Sequence, residues 1–362
     1  MRKNEHGGDL LSYKNFFNGR LIDFSSNINP IGYPRKLKKL FLKNFYTVKS
    51  YPDIQYRALK IAIAGYLSCA ADEVIVGNGA MEIIDGIVQN FKRIVICPPC
   101  FSEYEQRAHV HHKKIIYVPQ VFSHDYFSLD IKKIMRALKP HSLLILTNPN
   151  NPTGTSIPKE QLEKIYVAVV KQNAFLLLDE CFFEFAHLNY DSIQVFKKYN
   201  YRNVAIIRAA TKFFGLPGLR LAYACAEKVF TKKISSQQTS WSLNAFAELA
   251  GQIIFKDKAF ILNSRMYIER EKNYLYRELK KFSKLKVFKP EANFILLQLY
   301  DGTAETLFEF FLREGILIRR ANNFFVIKNK KFLEGEFIRL AVRTRLENQK
   351  LIAVFQKFFA FV

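Results

Sequence analysis

Between about residues 74 and 226, short apolar runs such as SLLILT, FLLLD, NVAIIRAA and LAYACA alternate with longer amphipathic stretches such as KEQLEKIYVAVVK. A run that is apolar on both faces needs cover on both sides, which predicts strands of a mostly parallel sheet with helices packed against it. In such an α/β sheet, ligand-binding groups collect beyond the strand ends. Turn-forming residues dominate the first 45 positions, DFSSNINPIGYP among them, and predict an N-terminal arm. After about residue 255 the pattern changes to a long charged helix, then short strands and a closing helix. The expected division is an arm over 1–45 that joins a smaller domain, a large domain over 46–255, and a small α+β domain over 256–362.

Three loops at predicted strand ends carry chemistry. In RAATKFFGLPGLRLAY, a buried strand delivers Lys212 to a tight Gly/Pro loop, and Arg220, expected to begin the next strand, returns toward it. A partly desolvated lysine there loses its proton more readily and can attack a carbonyl to form a Schiff base, while the arginine suits a phosphate. In NPNNPTG, two prolines and a glycine shape the loop and Asn151 can offer its amide to a ligand oxygen. In AFLLLDE, five apolar residues deliver Asp179 and Glu180 to a strand end, where at least one carboxylate needs a cationic partner such as a protonated pyridine nitrogen. The turn GNGA, with Gly79 and Ala80, presents backbone N–H groups at a helix start, a further anion site. Each loop alone also reads as an ordinary turn; their convergence favours a cofactor.

Composition narrows the alternatives. The chain has 362 residues, 49% of them hydrophobic, and no apolar run long enough to span a membrane. The start MRKNEHGGDLL lacks an apolar signal region, so the expectation is a cytoplasmic protein with no membrane partner. Five cysteines point to reduced thiols, and the CPPC at Cys97 and Cys100 has no second pair at metal spacing, so no metal site is expected. A formal net charge of +23 attracts anions, yet the lysines are scattered and no nucleic-acid-binding motif accompanies them. A solvated basic surface is the expectation, without a nucleic-acid partner, and a non-catalytic regulator is disfavoured by the intact lysine, aspartate and asparagine.

In this order, the NPTG loop, the DE strand end and TKxxGLPGLRxxY resemble the fold-type I pyridoxal-phosphate enzymes of the aminotransferase class I/II group, over nearly the whole chain. The resemblance implies pyridoxal 5'-phosphate held by Lys212, with Asp179 on the ring nitrogen, Asn151 on the ring hydroxyl and Phe101 stacked on the ring. Gly79, Ala80, Thr211 and Arg220 would hold its phosphate, with Tyr51 reaching in from the second subunit of a homodimer. Within the group, HGG at His6, DFSSNINPIG, DECFFEF and FIRLAVRTRLENQKL resemble the threonine-phosphate decarboxylases of cobalamin biosynthesis, relatives of the histidinol-phosphate aminotransferases. Phe182 stands where the latter usually carry tyrosine, and Arg343 where they tend to carry glycine. That resemblance implies a phosphorylated amino-acid substrate, its carboxylate on Arg339 and its phosphate on Arg319, with His6 and Arg343 assisting; Arg339 and Arg343 are expected on one strand face. The implied activity is decarboxylation, with histidinol-phosphate transamination as the alternative. Ala209 replaces a usual serine, and Ala80-Met81 a usual polar pair.

Overall fold

The computed structural model describes residues 6–123 and 126–361; the expected leaderless start, Met1 to Glu5, lies outside them. The strands, in chain order, are β1 Ile22–Asp23, β2 Val74–Asn78, β3 Arg93–Ile96, β4 Lys114–Tyr117, β5 Val121–Ser123, β6 Tyr126–Ser128, β7 Ser142–Thr147, β8 Phe175–Asp179, β9 Val204–Ala209 and β10 Leu221–Ala226, then β11 Leu285–Val287, β12 Phe294–Leu299, β13 Ile316–Leu317, β14 Arg319–Arg320, β15 Val326–Ile327, β16 Lys330–Lys331 and β17 Glu336–Ala341. Seven of them form the central sheet in the order β2-β10-β9-β8-β7-β3-β4. Every pairing in it is parallel except those of β10, which runs antiparallel to both β2 and β9.

The pleat assigns the side chains of this sheet to two cores. On β9, Val204 and Ile206 face one hydrophobic cluster while Ala205, Ile207 and Ala209 face the other. On β10, Leu221, Tyr223 and Cys225 alternate in the same way with Ala222, Ala224 and Ala226. The small side chains on β10 leave room for the helix Ala80–Val88, whose Ile83, Ile84 and Ile87 are fully buried against that face.

A four-stranded antiparallel sheet, β11-β12-β17-β14, follows the long helix Lys258–Leu279. The arm joins this part of the chain through β1, which pairs in parallel with β13, Ile22 opposite Ile316. The main hydrophobic cluster runs without a break from Leu176 and Ile206 of the central sheet to Ile295 and Leu340 of the smaller one. No helix among the described residues is long and apolar enough to cross a membrane.

Candidate active site

Beyond the ends of β7, β8 and β9 lies a cavity of about 420 Å³, lined by His6, Ala80, Phe101, Asn151, Asp179, Thr211, Lys212, Arg220, Arg319 and Arg339 from loops far apart in sequence. Phe182, Ala209, Cys181 and Phe324 complete its apolar wall.

The two carboxylates at the end of β8 part company because of the pleat. Glu180 falls on the same sheet face as Arg208 of β9, and the two form a fully buried pair at 2.8 and 3.0 Å. Ser192 adds a hydroxyl donor to Glu180, and Asp191 binds Arg208 at 2.6 Å. Asp179 faces the cavity instead. Its Oδ1 accepts from the Cys181 backbone N–H at 3.0 Å and its Oδ2 from the Tyr104 hydroxyl at 2.7 Å. No ion pair of Asp179 occurs among the described residues, so this buried carboxylate is left to face a cation that enters the cavity.

Lys212 is half-buried in the cavity wall, and its ammonium is pushed down to about 8 by desolvation first and then by the positive charge of Arg339. Its backbone is fixed from the arm: the Asn29 N–H donates to the Lys212 carbonyl at 3.0 Å, and the Asn29 amide donates to the Phe213 carbonyl at 2.8 Å. Arg220 precedes β10 rather than beginning it, in the left-handed region at φ 60°. Its guanidinium passes so close to Gly79, φ +81°, that a Cβ there would lie 1.9 Å from Nη2. Only glycine admits the arginine to the helix start at Ala80.

Arg339, buried on β17, donates to Asn151 Oδ1 at 2.5 Å and to the Ser25 carbonyl at 2.7 Å, and its Nε has no partner. Burial and the neighbouring Arg319 both oppose its charge, with Asp23 the carboxylate that supports it. A guanidinium stays protonated regardless, so the cavity holds a cation whose direct partners are neutral. His6 enters from the arm, its Nε2 3.0 Å from Glu103 Oε1 and its ring 6.2 Å from that of Phe101. The HGG sequence is needed for this approach, because a Cβ on Gly7 would lie 2.1 Å from the Ser25 carbonyl oxygen.

Two expected site residues, one of them expected to serve the partner's site, do not line this cavity of their own subunit. Tyr51 is exposed and stacks on Trp241 at 4.6 Å, outside the cavity. Arg343 does not share a strand face with Arg339: β17 ends at Ala341, and Arg343 bonds Glu347 at 3.0 Å and lines an adjoining pocket that shares Gly7, Ser26 and Lys212 with the cavity. Tyr104, Arg208 and Asn29 went unnoticed in the sequence. Tyr104 had a usable signal, standing one helical turn after Phe101, with which it makes an edge-to-face contact at 5.6 Å.

The sequence model for aminotransferase class I and II matches residues 20–355. The chain belongs to that family. A provisionally named threonine-phosphate decarboxylase from Caldanaerobacter subterraneus subsp. tengcongensis is 36% identical over 97% of this chain and 93% of its own. The threonine-phosphate decarboxylase of Salmonella typhimurium is 30% identical over 96% of this chain and 94% of its own. Among solved structures, the histidinol-phosphate aminotransferase of Clostridium acetobutylicum superposes with a TM-score of 0.88 at 32% identity, covering 94% of this chain and all of that one. The class I and II family thus accounts for the fold-type I architecture expected from the loops, and makes the chain an enzyme.

Proposed function

We propose that this enzyme uses pyridoxal 5'-phosphate to decarboxylate a phosphorylated hydroxy amino acid, L-threonine O-3-phosphate or L-serine O-phosphate, to (R)-1-aminopropan-2-ol phosphate or ethanolamine phosphate. The observation that carries the reading is Arg339, a buried cation with neutral hydrogen-bond partners and an unpartnered Nε, beside Arg319 in one cavity. Such a cation is costly without an anion, and a substrate with a carboxylate and a phosphate supplies two. The relatives named threonine-phosphate decarboxylase support the choice.

The cavity fits the cofactor: a half-buried lysine depressed to about 8, a carboxylate free of ion pairs, and an arginine threaded past Gly79. Lys212 would hold it, Asp179 its ring nitrogen, Asn151 its hydroxyl, Phe101 its ring face, and Ala80, Thr211 and Arg220 its phosphate. Bound there, it supplies a cationic ring able to take up an electron pair released at the substrate Cα. Asp179 would face the ring nitrogen and favour its protonated form. Arg339 holds the substrate carboxylate, and Arg319 with His6 holds the distal phosphate, so the anchors set which Cα bond is aligned to break. Lys212 would stand within the cavity to return a proton to the substrate Cα. Phe182 leaves the wall near Phe294 without the hydroxyl of a tyrosine, the two rings 5.0 Å apart. The enzyme would act as a homodimer in which Tyr51 completes the partner's site.

Histidinol-phosphate transamination is the second reading, favoured by the close superposition on the Clostridium acetobutylicum enzyme. The test is to supply threonine phosphate or serine phosphate to the reconstituted enzyme and record carbon dioxide, and in parallel to supply histidinol phosphate with 2-oxoglutarate. Carbon dioxide release that vanishes in Lys212→Ala is expected. Consumption of 2-oxoglutarate with no carbon dioxide would replace this reading by the second.

A further inference from the structure

A second cluster of reactive groups lies at the far end of β10 from Arg220. Among the described residues, Cys69, Glu73 and Cys225 bring two sulfurs and a carboxylate oxygen within 4.8 Å of one another. Three separate segments deliver them. Cys69 follows the helix Arg57–Leu67, whose last turn is closed by the left-handed Ser68 and by the Cys69 N–H bonded to the Ala64 carbonyl. Glu73 ends the short 3-10 turn Ala71–Glu73, with one carboxylate oxygen held by the Ala70 N–H at 2.8 Å. Cys225 projects from β10, opposite Val74 of β2, into the main core.

A fourth group points the same way. The Tyr201 hydroxyl is fully buried, and among the described residues its polar neighbour is the Cys225 sulfur, a weak acceptor, with no oxygen or nitrogen partner. It faces Cys225, with Cys69 and Glu73 beyond. A buried hydroxyl is seldom left unsatisfied, and one aimed at a group of metal-ligating atoms suggests that something else belongs among them.

We propose that Cys69, Cys225 and Glu73 form a binding site for a thiophilic divalent cation of the zinc or cadmium type, separate from the catalytic cavity. Two thiolates exclude magnesium and calcium, which take oxygen ligands, and select a soft or borderline ion. Three protein ligands leave a fourth tetrahedral position, which Tyr201 or a water fills. Binding requires both sulfurs as thiolates, so each ion taken up releases two thiol protons to solvent. The bound ion ties the end of the helix Arg57–Leu67 and the turn before β2 to β10.

The test uses the reduced, chelator-treated, cofactor-loaded full chain, titrated with cadmium chloride while the ultraviolet thiolate-to-cadmium absorbance and proton release are recorded, with zinc chloride as competitor. A saturating band with one ion per chain, displaced by zinc and lost in Cys69→Ala, is expected. Glu73→Gln should weaken it, and Cys97→Ser, in the CPPC segment, should leave it unchanged. Cys69 is partly exposed, so its variant remains informative where Cys225→Ser fails to fold. Absence of a saturating band, survival of the band in Cys69→Ala, or its loss in Cys97→Ser overturns the proposal.

Discussion

Lys212 and Tyr104 are residues whose surroundings set their chemistry. A free lysine is overwhelmingly protonated near neutrality, but burial and Arg339 bring Lys212 down to about 8. Its neutral, nucleophilic form therefore predominates above about pH 8 rather than above the usual lysine range. The rate of cofactor capture by the apoprotein should rise with pH and level off above about 8, which stopped-flow absorbance would follow; a rate still climbing steeply at pH 10 would contradict the burial of this amine. Tyr104 acts on Asp179 at 2.7 Å and also lies 3.0 Å from the Thr147 hydroxyl. Tyr104→Phe keeps the ring contact with Phe101 and removes one donor to the carboxylate, a loss of about 1.5 kcal/mol. A roughly tenfold rise in the cofactor dissociation constant, read from an absorbance titration, is the expected outcome.

At the scale of elements, the arm is a working part of the cavity. Gly7→Ala would place a methyl group against backbone at Ser25, where nothing can yield, so His6 and its contact with Glu103 should be lost. A higher KM for the phosphorylated substrate, with the cofactor spectrum unchanged, is the expected result of steady-state assays. The alternation of strands and helices, and the delivery of Asn151, Asp179 and Lys212 to strand ends, were legible because long buried runs leave little choice of fold. Arg343 shows where such reading failed. Alternation alone continued the strand through it, whereas Thr344 and Glu347 form a reciprocal capping box, with Thr344 N–H on Glu347 Oε2 at 3.1 Å and Glu347 N–H on Thr344 Oγ1 at 3.4 Å. That box starts the helix Arg345–Phe361 and turns the chain off β17. The signal was present as TRLE, and strand periodicity obscured it. The two-residue strands β13 and β14 both fall within ILIRR, a stretch legible as strand whose division between two sheets was not.

For the whole molecule, the proposed homodimer gives Tyr51 its purpose. Its exposed ring and that of Trp241 form an aromatic pair outside the cavity of their own subunit. If each subunit lends this tyrosine to the other, Tyr51→Ala and Lys212→Ala subunits should both be weak alone. Unfolded and refolded together, they should regain activity, because a mixed dimer rebuilds one site with both residues native. Failure of the mixture to exceed its components would assign Tyr51 to its own subunit or to no site.

Asn29 and the Lys212–Phe213 backbone are joined by hydrogen bonds across more than half the sequence. For anyone handling the protein, this makes the amino end the wrong place for a bulky affinity tag or a trimmed boundary. Shortening into the DFSSNINP segment would remove His6 from the cavity and release the backbone that Asn29 holds beside Lys212.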